Sequence, residues 1–301
     1  MIPKGGIAFF DSGIGGLTVL AECKKHLPNE LFYYYGDNNY APYGNRSEQQ
    51  IFKRVKKAMR LFCRLKVKAV VLACNTVTAV CVDALRKKYS FPIIGAEPAV
   101  QLAAKSGGEI FVLVTRATYE SQRFRRLCNK VAEKYPMARL RAFACDGLAG
   151  AIEKNITKED FDYSPYLPEG NPTYVVLGCT HYVYIKSQLQ KRYQCEVLDG
   201  NEGIARRLIY SLKHNNIRAH TPKKEKSCFL QPFLTTKVEK DKNANKCSRK
   251  YKHKKHEIST NGKVFFLRKT KGFNENIYKQ MFVLGKNGHE DVCGGQKNKK
   301  N

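Results

Sequence analysis

The 301-residue sequence predicts an α/β fold: two similar, doubly wound lobes with parallel central sheets and a cleft between them. Three observations carry this expectation. Strand-like and helix-like segments alternate through the first 220 residues, the order produced by parallel strands joined by crossover helices. The strands are short, continuous runs of apolar residues, as expected where helices cover both faces of a sheet. One pattern also occurs twice: "VVLACNTVTAV" from Val70 and "YVVLGCTHYVY" from Tyr174 each run an apolar strand into a cysteine followed by small hydroxyl, amide or imidazole residues. Cys74 and Cys179 lie about a hundred residues apart, the spacing of two lobes rather than of one metal knuckle.

The elements follow in order. "GGIAFFDSGIGGLTVLAECKKHL" reads as a strand ending at Asp11, a glycine-rich turn, and a helix with Leu17, Leu20, Cys23 and Leu27 at helical spacing. "ELFYYYGDNNYAPYG" is a second strand entering a loop. "IFKRVKKAMRLFCRLK" is amphipathic, with Ile51, Val55, Met59 and Phe62 on one face and its lysines and arginines on the other. "VKAVVLACNT" and "FPIIGAEPA" are buried strands. A helix, the strand "EIFVLVTRATYES", a helix from Arg123 to Tyr135, the strand "RLRAFACDGL" and a short helix through Glu153 lead to the second cysteine strand.

The chain is long enough to bury one large or two modest cores. The stretch Met1 to Gly6 is too short and polar for a secretory signal, and no apolar run approaches the ~18 residues of a membrane span, so a cytoplasmic protein without membrane contact is expected. Eleven scattered cysteines read as reduced thiols. Of the net charge of +28, half falls in residues 221–301, which hold 21 Lys and Arg against 7 Asp and Glu. Residues 221–257 are Lys-rich and broken by Pro222 and Pro232, as in a solvated insertion. A basic patch for an acidic partner or nucleic acid is the alternative, without any nucleic-acid-binding motif to favour it.

Asp11, Ser12, Asp37, Tyr43, Cys74, Asn75, Thr76, Thr115, Thr118, Cys179, Thr180 and His181 all fall at or just after the carboxyl end of an expected strand, where α/β proteins build sites from loops. A cysteine there, ahead of a helix, meets the helix's positive end, which lowers a thiol pKa from about 8.5. That shift is the expectation for both cysteines. "DSGIGG" lacks the full dinucleotide fingerprint, and no Walker lysine follows it. Cys145, Cys179 and His181 lack the close cysteine pairs of structural zinc. A hydrolase with one cysteine nucleophile would leave the second copy of the pattern unexplained.

"FDSGIGGLTVL", "YYGDNNYAPYGNRS", "VVLACNTVTA", "GAEPA", "TRATYES", "ACDGLAGAIE" and "VLGCTHYVYIKSQL", in this order from Ile7 to about Leu208, resemble the glutamate racemases of the cofactor-independent aspartate/glutamate racemase superfamily. The resemblance implies inversion of an amino acid by two thiols, without metal or other cofactor: Cys74 acting on the D-enantiomer and Cys179 on the L-enantiomer. Asp11 would assist Cys74, and His181 and Glu153 would assist Cys179. Ser12, Asp37, Tyr43, Gly44, Asn75, Thr76, Thr115, Thr118 and Thr180 would hold the substrate. It further implies D-glutamate for peptidoglycan and a homodimer; aspartate is the alternative substrate, and gyrase or nucleic acid an alternative partner of the basic stretch. Val114, Val183 and Tyr184 depart from the usual pattern. Residues 1–97 and 207–285 are expected to form the first lobe and 98–206 the second. Within the first, 221–262 would be a flexible insertion; "KVFFLRKTKGFNENIYKQMFVLG" would supply a closing strand and helix, and 286–301 a polar tail.

Overall fold

The computed structural model describes residues 5–158 and 160–217, together with the backbone of 227–230 and 264–266. The expected closing helix, the polar tail and most of the basic stretch lie outside the described residues. Two parallel sheets organise the rest.

In the first sheet, β1 (Ile7–Asp11) is central. It pairs on one side with β2 (Phe32–Gly36) and on the other with β3 (Ala69–Leu72), which pairs in turn with β4 (Ile93–Gly95). In the second sheet, β5 (Gly108–Val114) pairs with β6 (Ala138–Ala144) and with β7 (Tyr174–Gly178), which pairs with β8 (Glu196–Leu198). The two sheets share one strand order: second, first, third, fourth. Both therefore have a switch point between their first and third strands, where the loops at the carboxyl ends part and leave a crevice.

Alternation along β1 shows why helices cover both faces. Ala8 and Phe10 pack with α2 (Glu48–Arg64) and α3 (Asn75–Lys88), while Ile7 and Phe9 pack with α1 (Gly16–His26) and with α9 (Asn201–His214), which returns from the second sheet. In α2, Ser47 and Gln50 cap the first turn reciprocally. Its buried stripe of Ile51, Val55, Met59 and Phe62 contributes about 1.5–3 kcal/mol per side chain. The second sheet is covered on one face by α4 (Val100–Ala104) and α6 (Gln122–Lys134), on the other by α7 (Leu148–Asn155) and α8 (Lys186–Tyr193). The five-residue α5 (Arg116–Glu120) follows β5 directly.

The first sheet extends beyond β2 by two strands, β9 (Ser227–Leu230) and β10 (Val264–Phe266), both parallel. β10 falls within the segment expected to close the first lobe. The segment Ser227–Leu230, within the stretch expected to be an insertion, is a strand paired with β2. Its four-residue run is too short to stand out among flanking lysines, and the edge of β2 supplies the hydrogen bonds that define it.

Candidate active site

Matching strand order puts the two cysteines in equivalent places: Cys74 follows β3 and Cys179 follows β7, each at its sheet's switch point. Both are buried, at 5% and 8% exposure. The Cys74 thiol donates to Ser12 Oγ at 3.6 Å. Cys74 is also the N-cap residue of α3, and the Val77 N–H favours its thiolate as the sequence suggests. The expected downward shift does not survive, however: burial, then the Asp11 carboxylate, push the thiol up to about 12. Desolvation of a fully enclosed sulfur outweighs one turn of helix dipole. Cys179 precedes a short 3-10 turn, Thr180–Ile185, and its sulfur lies 3.8 Å from His181 Nδ1.

Around these thiols the two lobes interlock. Asp11, wholly buried at the end of β1, accepts from Gly13 N at 2.9 Å and, across the cleft, from Thr180 Oγ1 at 3.3 Å. Burial raises its carboxyl above the ordinary range, against the pull of the His181 charge and of the Gly13 and Gly16 N–H groups. His181 is buried, and its Nε2 stands 3.5 Å from Glu153 Oε2, an ion-pair distance with no hydrogen bond formed. Burial pushes the imidazole down, but Cys179 and Glu153 outweigh it and hold His181 well above its ordinary value. Glu153, on α7, lies against the turn after β1 at Gly13, where a Cβ would sit 2.9 Å from Glu153 Oε1.

The remaining expected residues divide by how their polar atoms are engaged. Thr76, Thr115 and Thr118 form a chain of hydroxyls across the lobes, with Thr76 Oγ1 2.8 Å from Thr115 Oγ1 and the latter donating to Thr118 Oγ1 at 3.0 Å. Asn75 Nδ2 donates to Ala96 O. Asp37 is buried with its carboxylate held by Tyr43 and Arg54. Gly44 lies against Thr115, and its carbonyl accepts the Ala117 N–H at 3.0 Å. The space beside Cys179, bordered by Asn75, Thr180, Asn201 and Ile204, is about 10 Å³, room for one water. A larger hollow of about 520 Å³ opens between Gly44–Ser47 and Arg116–Ala117.

Three contributors were not visible as such in the sequence. Gly15 lies where the lobes come close, since a Cβ there would lie 2.8 Å from His181 N and nearer still to Thr180 Oγ1. Its signal was the glycine spacing in "DSGIGG", which serves interlobe contact here. Tyr184, one of the departures from the usual pattern, donates to Ile14 O at 2.9 Å and ties the lobes together. Arg54 lies on the helix face expected to meet solvent, yet reaches Asp37. Among the described residues no three His, Cys, Asp or Glu side chains group to hold a metal ion, and no helix is long and apolar enough to cross a membrane.

Comparison with known proteins agrees with this architecture. Residues 18–208 match the family model described as Asp/Glu/hydantoin racemase. A glutamate racemase of Clostridium perfringens is 36% identical over 232 residues, covering 72% of this chain and 87% of the relative. The crystal structure of Escherichia coli glutamate racemase in complex with L-glutamate and the activator UDP-MurNAc-ala superposes with a TM-score of 0.65 at 28% identity, over 75% of this chain and 89% of that one. Glutamate racemase of Francisella tularensis in complex with D-glutamate gives 0.64 at 27%, over 76% and 89%. With two sheets of one strand order, a cysteine at each switch point, and a match over most of the described residues, the chain belongs to the Asp/Glu/hydantoin racemase family and is a racemase.

Proposed function

We propose that this racemase interconverts L- and D-glutamate by proton transfer between the substrate α-carbon and two cysteines, Cys74 and Cys179. The observation that carries the reading is the equivalence of the two thiols: each closes the third strand of its sheet, and Cys179 is near enough to Cys74 for its charge to bear on that thiol. Inverting a stereocentre needs a base on one face of the carbon and an acid on the other, and two lobes supply one thiol to each face. Relatives named glutamate racemase, and solved structures holding either glutamate enantiomer, favour glutamate as the substrate.

The electrostatics suggest how the cycle starts. Cys74, with its pKa pushed up to about 12, is a neutral thiol and so a proton donor. His181, held well above its ordinary value chiefly by Cys179 and Glu153, stands with Nδ1 3.8 Å from the Cys179 sulfur, within reach to assist it. In this arrangement Cys179 removes the α-proton of the L-enantiomer and Cys74 delivers one to the opposite face, leaving the D-enantiomer; the reverse reaction begins from the exchanged protonation states. Asp11 assists Cys74, and Ser12, Asn75, Thr76, Thr115, Thr118 and Thr180, with the backbone of Tyr43 and Gly44, supply donors for a dicarboxylate zwitterion. Asp37 acts within the protein, through Tyr43. The product would supply peptidoglycan synthesis in the cytoplasm.

The test is to follow optical rotation of L- and D-glutamate, and of L-aspartate, with protein prepared without added metal or pyridoxal. Each positioned acid or base is worth about 10²–10⁴ in rate, so Cys74→Ala and Cys179→Ala should each lower glutamate racemisation by at least about 100-fold. Parent-like turnover in either variant would refute the two-thiol reading. Turnover of aspartate alone would keep the mechanism and change the substrate.

A further inference from the structure

Asp37 follows β2 with its side chain 1% exposed, and both of its carboxylate oxygens are bound inside the first lobe. Oδ2 accepts from the Tyr43 hydroxyl at 2.5 Å and from Arg54 Nε at 2.7 Å, and Oδ1 accepts from Arg54 Nη2 at 2.5 Å. Arg54 comes from the middle of α2, and its guanidinium lies over the Tyr40 ring, 3.5 Å from the centroid. Two N–H···O bonds from one planar group fix orientation as well as charge, which a point charge would not do. Without them a carboxylate this deeply buried would lack its compensating cation.

What Arg54 holds in place leads to the cleft. Tyr43 packs on Phe10, ring centroids 6.3 Å apart, within the cluster that includes Cys74, and burial and the Asp37 carboxylate hold its hydroxyl protonated. The next residue, Gly44, meets Thr115 and receives the Ala117 N–H from the second lobe. A charge on a helix remote from the thiols thus sets the loop on which the lobes meet beside Cys74.

We propose that Arg54 is a positioning residue for proton transfer at Cys74, acting through Asp37 to hold Tyr43 and Gly44 against the cleft. The proposal rests on the racemase mechanism above. It is tested in the full-length chain with Arg54→Met, Arg54→Lys, Tyr43→Phe and the double variant Arg54→Met/Tyr43→Phe, assayed in both directions beside the parent, with thermal unfolding recorded for each. The enantiomers have equal free energies, so kcat/KM must change by one factor in both directions.

Displacement of the loop by about 1 Å predicts a loss of about 100-fold for Arg54→Met. Arg54→Lys keeps the charge without the paired geometry, and a loss of about three- to tenfold at unchanged Tm is expected. The double variant should be no worse than the more impaired of its parents, because the two changes break one chain of contacts. Losses that multiply independently, or Arg54→Met within about twofold of the parent, would overturn the proposal. Should Arg54→Met fail to fold, Arg54→Lys decides alone: reduced activity at unchanged Tm supports it and parent activity overturns it. A parent inactive on both glutamate enantiomers would overturn the racemase mechanism itself.

Discussion

Replacing Gly15 with alanine tests whether close approach of the lobes controls catalysis. The backbone accepts the change, since Gly15 has φ −57° and ψ −38°, ordinary right-handed helical values. What alanine meets is the other lobe: its Cβ would lie 2.8 Å from His181 N and from Thr180 Cβ. Restoring the 3.4 Å of ordinary contact needs a retreat of about 0.6 Å from these two atoms and more from Thr180 Oγ1, which lies nearer still. In a closed core such overpacking costs about 1–3 kcal/mol. Here the strain falls between two lobes rather than inside one core, so stability should change little. The reaction does not share that tolerance, and misplacement approaching 1 Å costs about 100-fold in rate. The assay is kcat/KM for both enantiomers, with Tm alongside. Gly203→Ala on α9 is the control, because no atom lies within 4 Å of its added Cβ. It should gain about 1 kcal/mol from helix propensity with activity unchanged. A Gly15→Ala protein with parent activity would refute the reasoning, as would one whose loss of activity merely tracks a loss of folded protein.

Two further outcomes follow from the charges in the cleft. Because burial and Asp11 push the Cys74 thiol up to about 12, its alkylation by iodoacetamide, read by peptide mass, should rise about tenfold per pH unit between about pH 7 and 9; a flat profile would contradict the shift. Asp11→Asn should speed that alkylation at a given pH while slowing racemisation. The same substitution should change the pH dependence of stability. With its folded-state pKa raised, Asp11 contributes stability that is fully present below its unfolded value of about 3.9 and is lost as pH rises through the folded value. Thermal unfolding from about pH 4 to 7 should therefore show a shallower decline in Asp11→Asn than in the parent, and an unchanged slope would count against it.

Much of this was legible in the sequence because it is local. An apolar run, a cysteine and the start of a helix follow one another directly, so the placement of Cys74 between β3 and α3 follows from chain order alone. The glutamate racemase resemblance likewise rests on contiguous motifs. Properties set by tertiary packing were not legible. The Cys74 shift reversed sign because the helix end is visible in sequence while the enclosure of the sulfur is not. Arg54 looked like one more cation on the polar face of α2, since its partner stands seventeen residues earlier at the end of another element. Strand β9 was hidden by the lysines beside it, and the edge of β2 that defines it lies nearly two hundred residues away.

The 10 Å³ space beside Cys179 has a consequence for the timing of turnover. On the proposed reading an amino-acid substrate needs more room than one water, so exchange of substrate for product would require the lobes to part. Parting breaks the Thr180–Asp11 and Tyr184–Ile14 bonds and draws Gly13 away from Glu153. Admission and chemistry would then belong to different shapes of the molecule: an open one for exchange of ligands and the closed one described here for reaction. The junction between the lobes then acts as a clock as well as a wall, and a substitution that only alters how far the lobes part would change turnover without touching either cysteine.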